Sequence, residues 1–211
     1  MTEAEWLACT DPQEMLNFSR GKVSPRKLRL FAAACCRRIW PLLKDRRCRR
    51  AVEVSERLAD GRASEEEWEQ ASDLMVLATQ DVRNEADKGP VSAAFFSITA
   101  RGPTEITDLL RVPAAASRGA GERAAQSCLL RDIFNPFYSQ TAVSIWLHGN
   151  GNNVPELART IYLERRFSDL PFLADALEEA GCTDAALFDH CRQPGEHVRG
   201  CWVVDLLLGK S

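Results

Sequence analysis

The stretch Ser24-Pro-Arg-Lys-Leu-Arg-Leu-Phe-Ala-Ala-Ala-Cys-Cys-Arg-Arg-Ile-Trp-Pro41 decides the fold class. Ser24 followed by Pro25 is a helix start, because a serine hydroxyl can accept from the unpaired amides of the first turn and proline is preset for the position after the cap. Leu28, Phe31, Ala32, Cys35 and Ile39 then recur at helical spacing. Arg26, Lys27, Arg29, Arg37 and Arg38 fall on the remaining arc. Pro41 lacks an amide hydrogen and crowds the preceding turn, so the helix must end or kink there. This is an amphipathic helix with a cationic outer side, and the same pattern repeats along most of the chain.

Working outward, Asp45 to Ala59 reads as a second helix, with Cys48, Val52, Ser55 and Leu58 inward and Arg46, Arg47, Arg49 and Arg50 largely outward. Residues 20–50 together hold twelve Lys or Arg against the single acid Asp45, a local balance of +11. The chain's net charge is −3, so the other 180 residues sum to −14. So steep a polarity has three readings: a solvated face clamped by the chain's own acids, a surface for an acidic protein, or a surface for nucleic-acid backbone. Few aromatics interleave these charges, so a base-stacking platform is poorly supplied.

Helix starts also stand at Thr2 with Glu5, at Asp11-Pro12, and at Ser64 with Glu67. After Ser64, Trp68, Ala71, Met75, Ala78 and Val82 form one stripe. From Gly89-Pro90 to Gly119-Ala-Gly121 the chain is punctuated by Gly, Pro and an alanine triplet and reads as a connector, with short helices around Ala93 to Thr99 and Thr104 to Leu110. Beyond it, helices are expected over Glu122 to Phe134, from Pro155 to about Arg166, from Ser168 to Gly181 and from Thr183 or Asp184 onward. Thr141 to Leu147 is either a short strand or a helical turn. Trp202 to Leu208 is too apolar for a free tail and must dock as a helix or a strand. The expected fold is all-α, an irregular bundle of about eight to ten helices with room for one minor β element. It divides into an N-terminal part (1–88), a connector (89–120) and a C-terminal part (121–211).

The 211 residues, 45% of them hydrophobic, suffice for a core without staples. The acidic start Met1-Thr-Glu-Ala-Glu5 has neither the charge nor the apolar run of a secretory signal, and no stretch approaches the ~20 apolar residues of a membrane span. A cytoplasmic protein without a membrane partner is expected. Its eight cysteines are then thiols or metal ligands rather than disulfides. Cys35 reads as core and Cys36 as its flank.

Chemistry concentrates near the C-terminus. Cys182, Cys191, His197 and Cys201 give a C-x8-C-x5-H-x3-C spacing of zinc-ligand types, and Pro194-Gly195 supplies a turn toward His197. The spacing resembles that of CCCH fingers with the last two ligand types exchanged. The competing reading makes Cys182 and Cys201 core residues, with His190 and His197 satisfied by backbone groups. Phosphate-loop, dinucleotide-binding, zinc-protease and serine-hydrolase motifs are absent.

Three segments carry a resemblance: Thr2-Glu-Ala-Glu-Trp-Leu-Ala-Cys-Thr-Asp-Pro12; Arg26-Lys-Leu-Arg-Leu-Phe31 with Cys35-Cys-Arg-Arg-Ile-Trp40; and Asp175-Ala-Leu-Glu-Glu-Ala-Gly-Cys182 with Pro194-Gly-Glu-His-Val-Arg-Gly-Cys-Trp202. They are similar to a widespread group of uncharacterised planctomycete proteins. The likeness spans both ends and excludes the region from Gly89 to Gly121. It implies a bacterial cytoplasmic origin and a unit that recurs as a module of longer proteins, and it transfers no catalytic or binding residue.

The leading functional expectation is a non-enzymatic binding module. It would engage an acidic protein or nucleic-acid backbone through Arg26, Lys27, Arg29, Arg37, Arg38, Arg46, Arg47, Arg49 and Arg50, without a cofactor. The alternatives are a nucleic-acid-acting enzyme or accessory factor using His190 or His197, and a zinc-stabilised structural domain.

Overall fold

The computed structural model describes residues 1–99, 120–138 and 153–210. The expected helix at Thr104 to Leu110 and the strand-or-turn reading of Thr141 to Leu147 lie outside these residues. Within them the protein is all-α, with eleven α-helices, two short 3-10 turns and no strand. The chain forms two compact units, Met1–Leu130 and Arg131–Ser211. The first therefore takes in the helix that runs through Gly89-Pro90 and most of the helix beginning at Ala120, rather than ending at residue 88. No helix among the described residues is long and apolar enough to cross a membrane.

In the first unit, α1 (Glu3–Ala8) opens on a capping box in which the Thr2 hydroxyl accepts from the Glu5 amide and the Glu5 carboxylate accepts from the Thr2 amide. α2 (Pro12–Phe18) is capped by Asp11, and α3 (Pro25–Arg38) by Ser24. α3 ends before Pro41 as its chemistry requires, and Trp40–Leu42 continues as one 3-10 turn. α4 (Arg46–Ala59) begins at Asp45, whose carboxylate accepts from the Arg47 amide. α5 (Glu65–Asp81) starts with the Ser64 and Glu67 capping box. α6 spans Glu85–Thr99.

α4 packs against α3, α5 and α6, and Cys48, Ala51, Val52 and Val54 form the middle of an apolar core with Ala33, Cys36, Met75, Ala94 and Ile98. The expected stripe on α5 is present, with Ala71, Met75 and Ala78 buried and the Trp68 indole donating to the Ile98 carbonyl at 2.8 Å.

Two expectations need correcting. α3 is not one-sided: every residue from Leu30 to Cys36 is buried, Cys36 as fully as Cys35. The run Ala32-Ala33-Ala34 is small enough for neighbours to approach on both sides, which leaves the charges to the two ends of the helix. The connector does not begin at Gly89 either, because α6 runs through Gly89 and Pro90 to Thr99. Pro90 loses one helical bond, to the carbonyl of Ala86, and burial of Val91, Ala93, Ala94 and Ile98 outweighs that loss.

α7 (Ala120–Ile133) contributes its last turn, Arg131 to Ile133, to the second unit. There follow α8 (Val154–Glu164), a 3-10 turn at Phe167–Asp169, α9 (Leu170–Glu179), α10 (Ala185–Arg192) and α11 (Trp202–Leu207). Leu170, Leu173, Ala174 and Leu177 are buried on one face of α9, as their spacing requires. Gly181 ends that helix at φ +84°, a left-handed backbone that a side chain would strain. The C-terminal apolar run docks as a helix whose six residues are all buried, against α8 and α10.

Candidate metal centre

Four side chains of the second unit meet at one point. Asp132 comes from the last turn of α7 and His190 from the last turn of α10. His197 lies in the loop that follows, and Cys201 is the residue before α11. The loop reaches this arrangement because Gln193-Pro194 stops α10. Gly200, at φ +99°, then lets the chain turn sharply into Cys201, whose amide donates to the Val198 carbonyl at 3.0 Å.

One oxygen of Asp132 is the hub. His197 Nδ1 lies 2.6 Å from Oδ1 and His190 Nε2 lies 3.1 Å from it, while the Val198 amide donates to Oδ2 at 2.8 Å. His190 Nε2 is also 3.2 Å from Cys201 Sγ. One donor atom from each of Asp132, His190, His197 and Cys201 lies within 4.8 Å of the others, and this group has the make-up to hold a metal ion. In a tetrahedral site, bonds of ~2.0–2.3 Å place ligand atoms ~3.3–3.8 Å apart, so the pairs now hydrogen-bonded at 2.6, 3.1 and 3.2 Å would widen by up to about an ångström around an ion.

The centre is dry: Asp132 is 2% exposed, His190 7% and Cys201 0%. Burial works to raise the Asp132 carboxyl, but hydrogen bonds from His190 and His197 outweigh it and hold the group below its ordinary value. Burial pushes the Cys201 thiol well up, and the nearby Asp132 carboxylate adds to this. His197 Nε2 is buried without a hydrogen-bond partner. On the far side of His190, the Trp202 indole N–H donates to Nδ1 at 2.9 Å, with the Gln193 side-chain amide 3.1 Å from the same nitrogen.

The expected ligand set is thus half assembled. His197 and Cys201 are brought together, while Cys182 and Cys191 lie among the apolar residues of the core. In their place stand His190, one residue before Cys191, and Asp132, from a different helix. A side-chain direction on α10 separates His190 from Cys191, and spacing in sequence selects Cys191. Asp132 carried no motif, since its partners follow it by 58 and 65 positions.

The basic residues are mostly engaged by the chain itself. Arg26 pairs with Asp60, Arg37 with Glu56, Arg38 with Glu122, and Arg47 with Asp45 and Asp81. Arg49 donates to the Leu43 carbonyl at 2.7 Å and lies over the Trp40 ring. Lys27 and Arg29 are half-buried and make contacts of their own. Arg46 and Arg50 stand exposed one turn apart on α4.

No protein-family model, no curated protein and no solved structure matches the chain.

Proposed function

We propose that the second unit is a zinc-stabilised helical domain, with Asp132, His190, His197 and Cys201 as the ligands, and that the chain is a non-enzymatic module. The observation that carries this reading is the convergence of four side chains of zinc-ligand type on one point, from three helix ends and the loop between two of them. One carboxylate, two imidazoles and one thiolate suit a borderline-soft ion such as zinc better than calcium or magnesium, which seek an all-oxygen shell. The charges also agree, since the Asp132 carboxylate and a Cys201 thiolate together balance a divalent cation in a dry site.

Burial favours a structural role over a catalytic one. Catalytic zinc keeps a position open to water and substrate, whereas structural zinc is enclosed by four protein ligands. His197, whose side chain is only 7% exposed, serves poorly as a general base, which must reach the proton it removes. The ion would tie α7, α10 and α11 at their ends, in a unit of about eighty residues that contains several short helices.

The test is elemental analysis and native mass spectrometry of protein purified without added metal. About one zinc per chain is expected, and its removal by a chelator should lower the melting temperature. Less than about 0.2 zinc per chain, together with no uptake on adding zinc to the apo protein, would remove the reading.

A further inference from the structure

We infer that Trp202 and Gln193 govern metal loading by setting which nitrogen of His190 carries the proton, so that the centre behaves as a metal-responsive switch at the start of α11. This rests on the metal-binding reading above. An indole nitrogen can only donate a hydrogen bond. With Trp202 Nε1 at 2.9 Å, His190 Nδ1 must be the acceptor. The proton of the neutral ring then sits on Nε2, directed toward Asp132 Oδ1 at 3.1 Å and Cys201 Sγ at 3.2 Å.

A metal in the centre needs the Nε2 lone pair instead. The ring proton must then move to Nδ1, where it would meet the Trp202 N–H head on. Ligating histidines as a rule donate their second N–H to an acceptor, and Trp202 offers none. Gln193 does: its side chain is exposed, already lies 3.1 Å from Nδ1, and can turn its amide oxygen inward.

Loading therefore exchanges a Trp202 donor for a Gln193 acceptor, while His190 stays neutral throughout. For a divalent ion, the Cys201 thiol proton leaves to solvent and the Asp132 carboxylate is already charged, so the filled centre has no net charge. Trp202 is the first residue of α11 and packs its ring 4.8 Å from that of Tyr138 and 5.0 Å from that of His190. Withdrawal of its N–H from His190 turns the indole at the first residue of that helix. Trp202 acts here as a positioning residue that favours the empty centre, and Gln193 as one that favours the filled centre.

The experiment titrates zinc, in competition with a chromophoric chelator, into wild-type protein, W202F and Q193L. W202F should bind zinc about tenfold more tightly and Q193L about tenfold more weakly, the scale on which residues behind a metal ligand act. A purely structural role for the buried Trp202 predicts the opposite sign, because loss of packing loosens the site. The indole resonance of Trp202 in wild-type protein should also shift on saturation with zinc. Equal or weaker binding by W202F, or an unmoved indole resonance at saturation, overturns the inference and leaves the metal site standing. Failure of all three proteins to bind zinc overturns the metal reading itself. If W202F does not fold, Q193L and the indole resonance decide, and unchanged affinity in Q193L counts against the inference.

Discussion

Arg37 grips Glu56 with two parallel hydrogen bonds, Nε to Oε1 at 3.0 Å and Nη2 to Oε2 at 2.8 Å, and so ties α3 to α4. The Glu56 side chain is 5% exposed and that of Arg37 28%, so the pair bridges the core and its edge. Removing the arginine leaves a buried carboxylate with a lost counter-charge. R37A should therefore destabilise the protein by about 3 kcal/mol, at the lower end for buried pairs because the arginine is partly wet. Replacing both partners with apolar residues, as in R37M/E56L, should recover most of the loss, since no buried charge is stranded. Urea denaturation of the two variants checks both statements. Equal stability of R37A and wild type would show the pair to be ornamental.

The same pairing bears on what the cationic segment can bind. Arg26, Arg37, Arg38 and Arg47 spend their charge on the chain's own carboxylates, and Arg46 and Arg50 are the exposed arginines of α4. Phosphate binding draws its strength from the number of cations free to displace counterions. Retention on heparin should accordingly be weak and lost near physiological ionic strength, about 0.15 M. R46E/R50E should abolish it. Retention far beyond that salt concentration would restore a broad anion-binding face.

Much of the fold was legible because its signals are local. The capping boxes at Thr2 and Ser64, the stop imposed by Pro41 and the stripe on α5 each depend on residues within a turn or two of one another. The charge pattern of α3 was legible as helix but misleading as surface. An arginine whose partner lies 19 or 84 positions away, as for Glu56 and Glu122, looks solvent-facing in sequence. The candidate site failed for the same reason. His197 and Cys201 share a short loop and were found together, whereas Asp132 meets them only through tertiary packing, and a neighbour such as His190 differs from Cys191 by the face it occupies on α10.

Burial of thiols gives the first unit a definite alkaline weakness. Burial pushes Cys36 up to about 12 and Cys48 up to about 11, against an ordinary value of 9.0. Below that ordinary value both thiols are neutral in the folded and unfolded chains alike, and stability is unaffected. As pH rises from about 9 toward 11, the unfolded chain loses these protons while the fold retains them, so stability falls. The slope is about 1.4 kcal/mol per pH unit for each thiol. Urea midpoints should therefore drop between pH 8 and pH 10, and less steeply in C36A/C48A. Neither thiol should react with an aromatic disulfide reagent until the protein unfolds, whereas the exposed Cys128 should react at once.

The ligand set can be separated from its nearest rival by four serine and alanine substitutions. Spacing in sequence nominates Cys182 and Cys191 beside His197 and Cys201, whereas the geometry nominates Asp132 and His190. Cys182 and Cys191 are buried, so their replacement by serine costs stability through a poorly satisfied hydroxyl but removes no ligand. C182S and C191S should keep about one zinc per chain while melting at lower temperature. D132A and C201S remove a ligand each, and C201S leaves an oxygen where a soft thiolate is needed. Both should lose most of their metal. Cobalt substitution gives the same answer optically, because a thiolate-to-cobalt charge-transfer band in the near ultraviolet should persist in C182S and C191S and vanish in C201S. Retention of that band in C201S, with its loss in C191S, would transfer the site to the set that spacing proposed.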